Sequence, residues 1–208
     1  MTSRPDTTGV ATEDGFTGYA AGLAERVGAV GWVAEFDTVR IYVERDMWVE
    51  TIRRTRDEEG LTFFSWLAGV DWSKESAVGE GVGDPDELRE RYEVICRLSS
   101  VENSDAAHFI TELPKDDAVL DTIVPLFAGA AWHERETHEM FGIDFRGHPN
   151  LTKLYLPDGF VGHPLRKSFP LLTREIKPWP GDVDVEPMPS PDKPLTENLE
   201  AGDGGGGT

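Results

Sequence analysis

The feature that most restricts this chain's fold begins at Phe145. From there Pro149, Pro157, Pro164 and Pro170, with Gly147, Gly159 and Gly162 among them, rule out a long helix. Each proline removes an amide donor and crowds the preceding turn. Residues 146–175 are nevertheless rich in Leu, Tyr and Phe. They carry five cations (Arg146, Lys153, Arg166, Lys167, Arg174) against Asp158 and Glu175, a local charge of +3 in a chain of net charge −19. A segment so apolar, basic and irregular is expected to lie extended on a surface and to be ordered mainly by a partner. The stretch 177–208, acidic and rich in Pro and Gly, reads as a disordered tail, and residues 1–14 as a disordered lead-in.

Upstream, the apolar periodicity is regular. Phe16, Tyr19, Ala20, Leu23 and Val27 recur at helical spacing, with Asp14 as N-cap and Gly28 as stop. Trp32, Ala34 and Phe36 alternate with Val33 and Glu35, and Val39, Ile41 and Val43 with Arg40, Tyr42 and Glu44. This predicts a strand pair about a turn at Asp37–Thr38. A helix follows from Asp46 to before Gly60, turning Trp48 and Ile52 inward. Leu61–Asp71, apolar on both faces, is expected as a central strand, and Ser73–Glu90 as a long hairpin arm. Tyr92, Val94, Cys96 and Leu98 alternate with Arg91, Glu93 and Arg97 on the next strand, and Ala107–Leu113 is another. Asp121–Phe127 and Ala128–Gly142 are expected to be helical. The order predicts an α+β fold: a mainly antiparallel sheet with packed helices over residues 15–144, then an extended C-terminal arm over 145–176 and the tail over 177–208.

Composition removes whole classes of function. Twenty Lys and Arg against 39 Asp and Glu repel phosphate, so no nucleic acid is expected as partner. The single cysteine, Cys96, excludes an intrachain disulfide and any all-cysteine metal or iron–sulfur site, and reads as a buried thiol. Residues 1–15 hold no apolar stretch for a signal peptide, and Leu61–Val70 and Val124–Trp132 are too short to span a bilayer. A cytosolic chain that meets a membrane only through a partner is expected.

Catalytic signatures are absent too. Gly79, Gly81 and Gly83 lack the strand-then-helix setting of a phosphate loop. His133 and His138 stand at i and i+5, roughly 140° apart on a helix, which does not fit the i, i+4 zinc motif. His148 and His163 sit in twin Gly-His-Pro turns. With no carboxylate or thiol beside either, donation to backbone carbonyls explains them better than a shared metal.

What remains is a helix of mixed character. On a wheel of about 100° per residue, Glu136, Glu139 and Ile143 fall within about 40° of Trp132, with Met140 and Arg135 flanking. Carboxylates buried there require cations, and Arg135, Arg146, Arg166 and Lys167 are the candidates.

At this point the residues resemble a known family. Glu134-Arg135-Glu136-Thr137-His138-Glu139-Met140-Phe141-Gly142, then His148-Pro149-Asn150-Leu151, Leu156-Pro157-Asp158 and Gly162-His163-Pro164-Leu165-Arg166-Lys167-Ser168-Phe169-Pro170-Leu171, are similar to the 30 kDa subunit family of respiratory complex I. The resemblance spans roughly residues 16–172. Thr152 stands where the family usually has a basic or proline residue, with Lys153 one place along, and His138 where an aromatic is common.

The resemblance implies a non-catalytic, cofactor-free subunit of a proton-translocating NADH–quinone oxidoreductase, peripheral on the cytoplasmic side of the cell membrane. FMN and iron–sulfur clusters are then expected in partner subunits. Those partners are chiefly the large quinone-site subunit (lettered D in bacteria) and two iron–sulfur subunits (lettered B and I). Interface or structural roles fall to Glu134, Arg135, Glu136, Glu139, His148, His163, Arg166 and Lys167. Two other readings are the equivalent subunit of a membrane-bound hydrogenase or reduced-deazaflavin dehydrogenase, and a free-standing enzyme acting through Glu136, His138 and Glu139.

Overall fold

A computed structural model of the chain describes residues 15–74 and 88–170. The expected lead-in, most of the hairpin arm after Lys74 and the tail lie outside the described residues. Helix α1 (Gly15–Val27) buries Ala20, Leu23, Ala24 and Val27, and Gly28 ends it at φ +74°, a left-handed conformation that glycine adopts without steric cost. Strands β1 (Gly31–Glu35) and β2 (Thr38–Tyr42) form the expected hairpin. Its turn lies one residue earlier than expected, at Phe36 and Asp37, both at positive φ. A short 3-10 turn (Arg45–Met47) leads into α2 (Trp48–Asp57), where Trp48 and Ile52 are fully buried as the periodicity requires.

β3 (Phe63–Trp72), β4 (Arg91–Ser99) and β5 (Ala106–Leu113) complete a five-stranded sheet of order β1-β2-β5-β4-β3. Three of its pairings are antiparallel and one, β2 with β5, is parallel, so the sheet is mixed but mostly antiparallel. The stretch expected at the centre is in fact the edge strand β3. It is apolar on both sides because α3 (Ala130–Phe141) covers one of them: a Cβ at Gly69 would lie 2.9 Å from the Phe141 ring and 3.1 Å from Thr137. On the other side Trp66 and Trp72 are half-buried.

Asp121–Phe127 is not helical. β6 (Val119–Asp121) pairs in parallel with β7 (Asp144–Arg146), and turns follow β6. Pro125 disfavours helical geometry at Val124, and the Ile123 amide is taken by a side chain of α3, described below. β7 straddles the boundary expected at residue 144, and it buries Phe145 as Ile143 is buried just before it. The core lies between the sheet and its helices, with Cys96, Phe109, Ile41 and Leu67 at its centre. Burial there pushes the Cys96 thiol up.

Candidate functional site

Helix α3 and residues 147–170 form the site. Two carboxylates on α3 are buried, Glu134 and Glu139, whereas Glu136 is half-exposed and Trp132 is 63% exposed. This corrects the wheel in two respects. The helix stops at Phe141, because Gly142 turns left-handed at φ +72°, so Ile143 is not on it. The buried acids are also not both on the Trp132 face.

Glu134 points toward the turns after β6. Its Oε2 accepts from the Thr122 hydroxyl (2.5 Å) and its Oε1 from the Ile123 amide (2.8 Å). His148 Nε2 lies 3.9 Å away and donates to the Ala131 carbonyl at 3.1 Å, while its Nδ1 accepts the Asn150 amide, the bonding of a neutral ring. Burial pushes the Glu134 carboxyl up to about 7, against the smaller downward pull of Thr122 and Ile123.

Glu139 points toward the arm. Its carboxylate accepts three consecutive amides, Leu154 (3.0 Å), Tyr155 (2.9 Å) and Leu156 (2.6 Å). Burial raises its pKa, but the three amides and the Lys153 charge outweigh it, so the carboxyl lies below its ordinary value. Arg135 donates to the carbonyls of Thr152 (2.8 Å) and Lys153 (2.6 Å) and stacks over Trp132. Lys153 gathers the carbonyls of Pro157, Asp158 and Phe160 with its ammonium.

The end of α3 is closed by the same segment. A helix leaves its last carbonyls without intrahelical donors. Here the His138 carbonyl takes the Gly142 amide, Glu139 the His163 ring (2.8 Å), Met140 the Leu165 amide (3.1 Å) and Phe141 the Arg166 guanidinium (2.5 Å). Arg166 also lies over the Tyr92 ring, and a cation there complements the negative end of the helix. The Lys167 amide donates to Asp71, a buried carboxylate on β3 that also takes Lys115 and Ser73.

The structure thus brings Glu134, Arg135, Glu139, His148, His163, Arg166 and the Lys167 backbone together, and leaves Glu136 without a bond among the described residues. The expected ion pairs are absent: among the described residues no cation pairs with Glu134, Glu136 or Glu139, and Arg135 and Arg166 bond carbonyls instead. Arg146 pairs with Asp121 rather than with α3. The described arm, through Pro170, is therefore fastened by this chain's own helix, so a partner would meet a surface already shaped. Thr122 and Asp71 were not singled out in the sequence, and Lys153 was named there only for its charge and its offset from Thr152. An aspartate inside the apolar run 61–71 was the one available signal.

Gly142 tests this arrangement. A Cβ there would fall on the Arg166 guanidinium and within 2.6 Å of His163 Nε2, in a backbone conformation that L side chains rarely adopt. Gly142→Ala is expected to cost about 1–3 kcal/mol. It should lower the thermal midpoint of the full chain and speed amide exchange at Leu165.

Among the described residues no three His, Cys, Asp or Glu groups are placed to hold a metal, and no helix is long and apolar enough to cross a membrane. Glu139 is held ionised by amides, and the His138 ring faces the Ile143 carbonyl and Asp144. The clefts of about 290 and 410 Å³ are lined by other residues, among them Arg45, Arg89 and Arg91 in the first and Tyr19, Arg97 and Asp105 in the second.

Fold and site describe a small α+β subunit built around a fastened arm. Residues 41–175 match the family described as respiratory-chain NADH dehydrogenase, 30 Kd subunit, and the chain belongs to that family. This is the complex I 30 kDa subunit family, which comprises the C subunits of NADH-quinone oxidoreductases. The chain is similar to the C subunit of the Citrifermentans bemidjiense NADH-quinone oxidoreductase, 34% identical over 143 residues covering 69% of this chain and 81% of that one. It is also similar to the joint C/D subunit of the Pectobacterium atrosepticum enzyme, 43% identical over 88 residues, 42% of this chain and 15% of that one. Among solved structures, a trypsin-resistant fragment of Nqo5 aligns with a TM-score of 0.51 at 24% identity, over 65% of this chain and 98% of that one. A chain of an archaeal respiratory membrane complex, the membrane-bound sulfane sulfur reductase, aligns with a TM-score of 0.56 at 19% identity, over 70% and 79%. At these identities the two structures speak to the fold.

Proposed function

We propose that the chain is a cofactor-free subunit of the peripheral arm of a proton-translocating NADH–quinone oxidoreductase, and that its work is positional. It holds the large quinone-site subunit in register with the two iron–sulfur subunits, on the cytoplasmic side of the membrane, while FMN and clusters reside in partners. The observation that carries this reading is the use made of α3. Arg135 and Glu139 of the helix are spent on backbone groups of residues 152–156, His163 and Arg166 of the arm are spent on helix carbonyls, and Tyr155, Val161 and Leu165 of the arm point outward, 63%, 89% and 54% exposed. A shaped, apolar, basic strip suits a protein surface. The relative whose name joins C and D supports the large quinone-site subunit as the neighbour.

Arg166→Ala tests it. Releasing the helix end should reduce the amount of assembled complex on native gels, while quinone reductase activity normalised to assembled complex stays near that of the parent. Full assembly with collapsed specific activity would instead give Arg166 a role in the chemistry. A chain of this fold also serves an archaeal respiratory complex of another kind. The large subunit that co-purifies therefore decides between the quinone-site subunit of complex I and its counterpart in a membrane-bound hydrogenase or reduced-deazaflavin dehydrogenase.

A further inference from the structure

Alternation along the strands sends Ile41, Leu67, Cys96 and Phe109 into the core and their neighbours to the opposite face of the sheet. Among the described residues no helix lies over that second face. Strand register aligns it in rows, one of which runs Val33, Arg40, His108, Arg97, Trp66 across all five strands. Neighbouring strands are about 4.8 Å apart, so Arg40 and Arg97 stand about 10 Å apart with His108 between them. Arg97 Nη1 lies 3.1 Å from His108 Nε2, and the Trp66 and His108 rings are 5.5 Å apart, so the row is a contiguous surface. Burial and the two flanking guanidiniums hold the His108 ring below its ordinary value, leaving a neutral spacer that orients Arg97.

The anomaly is the pair of arginines. In a chain with 39 acids to 20 cations, neither Arg40 nor Arg97 has a carboxylate within ion-pair distance among the described residues. Every other described arginine either pairs with a carboxylate or, like Arg135 and Arg166, bonds backbone carbonyls. Asp37 and Asp105 line a cleft with Arg97 yet stay beyond that distance. Farther along the same face Glu93 and Glu112 are matched by Arg91 and Arg89, and the exposed Glu35 shares the face without coming within ion-pair distance of Arg40. Beside it lie Ile95, half-buried, and Ala68, exposed.

We propose that this open sheet face is a second docking surface, on which a partner polypeptide sets carboxylates against Arg40 and Arg97 and apolar side chains against Trp66, Ile95 and Ala68. The proposal rests on the reading of the chain as an assembled subunit. Two arginines unmatched among the described residues, in one row with a tryptophan, have the composition of an interface centre, and opposite charge from a partner supplies what those residues do not. A polyanionic membrane or nucleic acid is disfavoured, because the whole chain at −19 repels it while two discrete carboxylates meet only the local field.

A photo-crosslinking amino acid placed at Ala68 of the tagged full chain, in complex purified from the native membrane, tests the proposal. The expected product joins Ala68 to an Asp- or Glu-bearing peptide of another subunit. Arg40→Glu with Arg97→Glu should cut its yield about tenfold or more, and Arg40→Lys with Arg97→Lys should retain most of it. The crosslink itself is read in a chain with both arginines intact, so it does not depend on the folding of the charge-reversed form. Co-purification of the large subunit with no crosslink at Ala68, or with one only to lipid or to a second copy of this chain, overturns the docking proposal and leaves the subunit reading standing. Failure of any respiratory subunit to co-purify overturns that reading and this surface with it.

Discussion

Glu139→Gln is expected to loosen residues 154–156 from α3 and to cost about 3–5 kcal/mol, because one carboxylate carries three amides and its bonds are charge-assisted. Leu154 and Tyr155 donate to Oε2 and Leu156 to Oε1. A glutamine can place its single carbonyl oxygen at only one of those positions. Its NH₂ then faces an amide donor at the other, so at least one partly buried N–H is left unpaired. The readout is hydrogen exchange on the full chain: the Leu154, Tyr155 and Leu156 amides should be protected in the parent and exchange freely in the variant. Unchanged protection would show that the arm is held by something other than this carboxylate. The pH dependence has a definite sign. The folded-state pKa lies below the unfolded value of about 4.3, so the stabilisation is fully present above that value and is lost as pH falls through the folded one. Fastening of the arm should therefore be intact at neutral pH and weaken only in acid.

Alternation and helical spacing located α1, the β1–β2 hairpin, α2, β4 and β5, because those patterns record which side chains leave water. They do not record what covers a strand. Apolar residues on both faces of Leu61–Asp71 suggested a central position, yet β3 is an edge whose core side is filled by Phe141 and Thr137 of α3. The stretch Asp121–Phe127 had apolar residues enough for a helix. It lost that conformation to Pro125 and to a carboxylate twelve residues downstream that claims Thr122. The site was legible as a set of residues and illegible as a set of bonds. Glu139, Arg135 and Arg166 stood out because charged groups in an apolar helix and arm demand partners, and ion pairs were the obvious answer. Their actual partners are backbone amides and carbonyls, which every residue possesses and no letter of the sequence marks. The wheel, for its part, ran past Gly142, where a left-handed residue had already ended the helix.

Glu134, five residues before Glu139 on the same helix, is expected to respond to pH in the opposite sense. It is fully buried with two donors and, among the described residues, no cation, and its folded pKa is pushed up to about 7. Against an unfolded value near 4.3, the folded chain holds an extra proton at this group throughout the interval, so stability falls as pH rises through it. The total is roughly 3 kcal/mol between about pH 4.5 and 7. Glu134→Gln reproduces the protonated form: its carbonyl accepts the Ile123 amide, and its NH₂ can meet the Thr122 oxygen that the acidic proton would meet. The variant should therefore lose this slope, matching the parent near pH 5 and exceeding it in stability at pH 8. Glu134→Ala, by contrast, leaves the Ile123 amide and Thr122 hydroxyl unpaired beside a new cavity, and should cost about 2–5 kcal/mol at either pH. Denaturant unfolding of the three chains at pH 5 and pH 8 separates these outcomes. A parent that gains on Glu134→Gln as pH rises would mean that the carboxylate is ionised in place and that a cation compensates it. Because His148 meets this carboxyl as a neutral ring, the expected order at pH 8 is Glu134→Gln, then the parent, then Glu134→Ala.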